Sequence, residues 1–240
     1  MGWLLGAGIG FFMGGPLGAV MGGALQHLLT GAARIQLQGN RAATNGEQIF
    51  VAHLIAIMTK ISMADGSVSD AERKTIHDFF AKSLGYQGQE LQFIDAIIAE
   101  TIRVDPDLHE TVKAFDRFAG KEQRLVLLDL IYQIAVTDHV VTKEEDAAIR
   151  QVVTALGISQ AEHDRIRSRH AAAKKHDHYM ELGLDASASD ADVKKAYRQL
   201  ANQYHPDKVS HLGPELVAFS TNKFKDINGA YAAVRKERNL

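Results

Sequence analysis

The chain has no cysteine in its 240 residues. That excludes disulfides, cysteine-ligated zinc and a thiol nucleophile, and it fits a reducing compartment. Neither sign of charge is in excess: 27 Lys and Arg stand against 29 Asp and Glu, a formal net charge of -2. No global attraction to nucleic acid or anionic lipid follows, and an electrostatic partner must be met by a local patch. None of the 11 histidines stands in His-x-x-x-His or His-Glu-x-x-His spacing, and neither a phosphate loop nor a Gly-x-Ser-x-Gly elbow occurs. The chain therefore lacks the common enzymatic signatures. It also lacks strand patterning, because from Glu47 onward no segment alternates with period two and every long segment repeats as a helix does. The expected fold class is all-α.

Charge is missing altogether from the amino-terminal stretch, where no Lys, Arg, Asp or Glu precedes Arg34. Gly2 to Leu25 is apolar or glycine throughout, longer than the roughly 20 residues a helix needs to span a bilayer. Gly6, Gly10, Gly14, Gly18 and Gly22 fall at every fourth position and so form one helical stripe, along which two spans can pack closely. Residues 1–33 read as a single transmembrane anchor that forms a homodimer. Arg34 and Arg41 follow it, which places the carboxyl-terminal portion in the cytoplasm. Gly15 and Pro16 leave a kinked or hairpin form of the span as the alternative. Residues 34–46 are polar, with Gly39, Asn40, Asn45 and Gly46, and read as a linker.

Residues 47–173 carry successive amphipathic runs. Val51, Leu54, Ile55, Met58 and Ile61 share one helical face, which Gly66 should end. Ile94, Ile97, Ile98 and Ile102 serve a second helix, and Leu125, Leu128, Ile131 and Ile134 a third. A faint repeat pairs Asp65, Ser69 and Glu72 with Asp138, Thr142 and Glu145. Two readings stand side by side. Ser69 with Glu72 and Thr142 with Glu145 have the spacing of capping boxes. Alternatively, Asp65, Glu72, Asp138 and Glu145 converge as oxygen ligands of a divalent cation. The paired acidic turns resemble the TerB-type helical domain, a family associated with tellurite resistance and acidic metal sites; neither turn has EF-hand spacing.

Residues 174–240 form the last module. Ser189 with Asp192 opens a helix whose core face is Val193, Ala196, Leu200 and Tyr204, and whose other face carries Lys194, Lys195 and Arg198. Pro206 ends it. Beyond a loop through Gly213, the residues Leu216, Phe219, Phe224, Ile227, Tyr231 and Val234 supply a partner helix. Two antiparallel helices joined by an exposed turn result. The run from Val193 to Lys208, with Tyr204-His205-Pro206-Asp207-Lys208 at its end, closely resembles the second helix and His-Pro-Asp loop of a J domain. Tyr179, Leu182 and Gly183 resemble the first helix, while Gly229 stands where the third helix often has glutamate.

The order of anchor, TerB-like domain and terminal J domain resembles DjlA-type membrane-anchored DnaJ-like proteins. The resemblance implies a bacterial inner-membrane co-chaperone that is not itself an enzyme, needs no cofactor, and activates a DnaK-type ATPase, with links to envelope or capsule signalling. Lys194, Lys195, Arg198 and Lys208 would steer it onto an acidic surface, and His205, Pro206 and Asp207 would make the allosteric contact. A metal-responsive membrane adaptor is the alternative.

Overall fold

A computed structural model describes residues 45–138, 141–171 and 178–238. The glycine stripe, Arg34 and Arg41 lie outside the described residues. Every regular element among those described is helical, as the periodicity requires, and none of these helices is long and apolar enough to cross a membrane. The described residues form two compact units: one holds 45–118 and 141–156, the other 119–138, 157–171 and 178–238.

The first unit is built around α1 (Asn45–Ser62). It begins inside the stretch expected to be linker, so Gly46 belongs to its first turn. Instead of one apolar face it buries Phe50, Ala52 and Ile57 as well as Val51, Leu54 and Ile55, the pattern of a helix enclosed on all sides. Around it pack α2 (Asp70–Asp78), α3 (Gln89–Val104), α4 (Leu108–Asp116) and α6 (Lys143–Ala155). A short 3₁₀ turn, Met63–Asp65, closes α1, and Gly66 with φ 112° accepts the left-handed geometry that a side chain resists. A π turn, Phe79–Ser83, extends α2 and buries both Phe79 and Phe80. The centre is aromatic: Phe50 meets Phe115 edge-on at 5.5 Å, and Phe80 meets Tyr86 at 5.6 Å.

The second unit joins two helices of the TerB-like stretch, α5 (Lys121–Asp138) and α7 (Gln160–Ala171), to the J module. The border between the compact units thus runs within the TerB-like stretch. The J module comprises α8 (His178–Glu181), α9 (Asp190–Gln203), α10 (Pro206–Val209) and α11 (Pro214–Arg238). Helices α9 and α11 form the expected hairpin, and α8 packs on α11. The segment expected to be loop before Gly213 is instead α10 followed by a 3₁₀ turn, Ser210–Leu212, which bury Val209 and Leu212. α5 packs against α7, α9 and α10.

Candidate functional site

The site is set by how α9 starts and stops. The Ser189 hydroxyl oxygen accepts the Asp192 amide at 3.2 Å and so caps the helix. Four turns follow with Val193, Ala196 and Leu200 buried and Lys194, Lys195 and Arg198 exposed, which separates a core face from a continuous basic face. Tyr197 locks the hairpin: its ring stacks on Tyr231 at 4.0 Å, and its hydroxyl donates to Asn228 at 2.9 Å.

At the end of α9 burial changes abruptly. Tyr204 is fully buried, whereas the next side chain, His205, is 47% exposed and Asp207 88% exposed. His205 has extended backbone geometry, φ -63° and ψ 127°, as expected before proline. It caps α10, its Nδ1 accepting the Asp207 amide at 3.3 Å. With Nδ1 an acceptor, the ring's proton belongs on Nε2. The Asp207 carboxylate lies 3.7 Å from the same nitrogen, and Phe224 of α11 meets the imidazole edge-on at 5.9 Å. Pro206, at the first helical position of α10, loses no hydrogen bond there. Lys208 donates its amide to the His205 carbonyl at 2.9 Å and keeps its side chain in solvent. His205 is thus held by hydrogen bonding within the loop while the Asp207 carboxylate points outward. Lys194, Lys195 and Arg198 share the exposed face of α9, and Lys208 lies on the loop that follows it.

The acidic repeat takes the form of helix caps. Ser69 and Glu72 make a complete capping box, the Glu72 carboxylate accepting the Ser69 amide at 2.7 Å. Thr142 and Glu145 make another, with Glu145 accepting the Thr142 amide at 2.8 Å. Asp65 accepts the Ser67 amide at 3.3 Å within its own turn. Among the described residues no three acidic or histidine side chains gather to hold a metal ion. The Asp138 side chain lies outside the described residues. Glu72 and Glu145 therefore act at helix starts, and Asp65 closes its own turn.

A buried polar cluster in the second unit was not foreseen from the sequence. Asp129 of α5, fully buried, accepts from His170 at 2.9 Å and pairs with Arg169 at 3.3 Å, both from α7. Arg169 also donates to the Tyr204 hydroxyl at 3.4 Å and lies over its ring, 5.5 Å from the centroid. Burial by itself would raise the Asp129 carboxyl, but the charges of Arg169 and His170 outweigh it and hold the group below the usual carboxylate range. Burial likewise pushes the Tyr204 hydroxyl well above the usual phenol range, against the pull of the Arg169 charge. Only spacing along separate helices brings these residues together, so no local motif announces them.

Comparison with known proteins matches two family models to this architecture. Residues 52–168 match the model described as tellurite resistance protein TerB, and residues 177–239 match the DnaJ domain. The co-chaperone protein DjlA of Shewanella oneidensis is 29% identical over 214 residues, covering 82% of this chain and 81% of that protein. The DjlA co-chaperone of Coxiella burnetii is 23% identical over 222 residues, covering 81% and 79%. The chaperone protein DnaJ of Deinococcus proteolyticus is 53% identical over 58 residues, 24% of this chain and 17% of that one. No solved structure matches. A TerB region followed by a DnaJ domain whose His205-Pro206-Asp207 loop stands exposed makes this chain a DjlA-type DnaJ-like co-chaperone.

Proposed function

We propose that this co-chaperone acts on a DnaK-type ATPase through His205, Pro206 and Asp207, with Lys194, Lys195, Arg198 and Lys208 steering the encounter. The observation that carries the reading is the exposed, internally hydrogen-bonded loop at the end of an exposed basic helix face. The mechanism is a coupling of binding to the partner's conformation: contacts made only with the hydrolysing state shift the partner toward it. Steering by four cations speeds association and weakens as salt screens it. No bond-making residue of this chain is needed.

Residues 1–33 act in this proposal as a membrane anchor, with the Gly6, Gly10, Gly14, Gly18 and Gly22 stripe bringing two copies together and the rest of the chain cytoplasmic. Length, the absence of charge and the position of Arg34 and Arg41 support it. The decisive measurement is stimulated ATP hydrolysis by a DnaK-type chaperone: His205→Gln should leave helicity unchanged and abolish stimulation. Stimulation equal to the unsubstituted chain would overturn the assignment.

A further inference from the structure

The J module is not bounded only by its own hairpin. The buried end of α9 rests on α5 and α7, and the hydrogen bonds there come from residues within a few positions of the loop. Tyr204, directly before His205, receives the Arg169 hydrogen bond. Asn202 donates to Glu122 at 2.9 Å, and Gln123 donates to the Lys208 carbonyl at 3.1 Å. Thus α5 holds backbone or side chain on both sides of His205-Pro206-Asp207 while leaving that tripeptide itself in solvent. On the α7 side, a Cβ at Gly183 would strike the Arg165 side chain and come within 3.2 Å of its carbonyl, so the turn after α8 lies directly against α7. Lys121 and Glu162 tie α5 to α7 at 2.7 Å.

From this we infer that α5 and α7 are a platform that positions the J module, with Asp129 and Arg169 as positioning residues acting through Tyr204. The inference rests on the co-chaperone reading for its activity readout, but not for its geometry. Arg169 without Asp129 would be an unpaired cation under the Tyr204 ring, and burial opposes such a charge. Asp129 therefore fixes Arg169, Arg169 fixes Tyr204, and Tyr204 fixes where α9 stops and the loop begins. A module docked in its binding orientation presents the loop in nearly every molecule, whereas a loosened one presents it in a fraction, and apparent affinity falls by that fraction. The partner is met by the exposed Lys194, Lys195 and Arg198 while the last turn of α9, at Asn202 and Tyr204, is held.

The absence of cysteine permits a direct test in the full chain. Glu122→Cys with Asn202→Cys, whose native side chains touch, would be joined by a short bis-maleimide and assayed for stimulation of a DnaK-type ATPase. The expected result is efficient joining, with the joined chain stimulating as well as the unjoined one; a tenfold or greater loss on joining would overturn the inference. Adding Asp129→Asn should raise the half-saturating concentration by about 5- to 10-fold with the maximal rate unchanged, and joining the two cysteines should restore it. No rise, or a rise that joining does not reverse, would also overturn it. If Asp129→Asn does not fold, Tyr204→Phe removes only the hydroxyl and should show the same reversible effect at about threefold, with the same outcomes overturning the inference. Absence of stimulation by the unjoined parent would instead break the co-chaperone reading, while the joining yield still reports whether α5 holds α9.

Discussion

The two compact units solve burial differently. The unit around α1 keeps its centre apolar and aromatic; the acidic and histidine side chains it buries are Glu100, which pairs with Arg103 of its own helix, Glu145, which caps α6, and His53, whose Nδ1 donates to the Ile49 carbonyl and whose ring lies against Phe115 and Phe118. The unit carrying the J module buries a carboxylate and a guanidinium side by side. Hydrophobic burial has no preferred direction, so an apolar interior depends on no single contact's geometry. A buried pair does, because displacing one partner strands the other's charge. The less forgiving arrangement is found beside the loop that must be aimed.

That contrast is open to attack by substitution. Asp129→Asn should cost the second unit about 3–5 kcal/mol, the usual penalty for stranding a buried charge, seen as loss of its unfolding transition at lower denaturant. If the cost is small, the pair is not what organises that unit. Next in size is a pH effect confined to the first unit. Burial lowers His53 from 6.5 to about 4, with the Ile49 hydrogen bond opposing. Between those pH values the unfolded chain binds a proton that the folded unit does not, so stability falls as pH drops through that window and levels off below it. The loss is about 3 kcal/mol, and His53→Leu should remove the slope. Asp129 contributes nothing in that window: its folded value is depressed, so its stabilisation is complete above the unfolded carboxylate range and is lost only at still lower pH.

Smaller effects should separate capping from metal binding. Ser69→Ala and Thr142→Ala should each lower thermal stability by about 1 kcal/mol with or without a chelator; a chelator effect of similar size would restore the cation reading of Asp65, Glu72, Asp138 and Glu145. Smallest, and opposite in sign, Gly229→Ala should stabilise α11 by up to about 1 kcal/mol, because a Cβ there meets nothing within 4 Å.

Much of this protein was determined locally and was therefore legible in order along the chain. Helical periodicity, the Ser69, Thr142 and Ser189 caps, the Gly66 stop and the break imposed by Pro206 depend on residues a few positions apart, and the structure bears each of them out. The exposed His205-Pro206-Asp207 loop on a basic helix was legible for the same reason. What only tertiary structure decided is which helices share an interior. The periodicity of α1 marks one apolar face but does not show that it is enclosed all round, and nothing local assigns α5 and α7 to the J module rather than to the helices that flank them in sequence. Asp129, Arg169 and Tyr204 each look ordinary on their own helices. Their pairing exists only because packing removes water from all three at once, and it is that removal of water that makes a carboxylate in one helix decide how firmly the loop at the end of another is held.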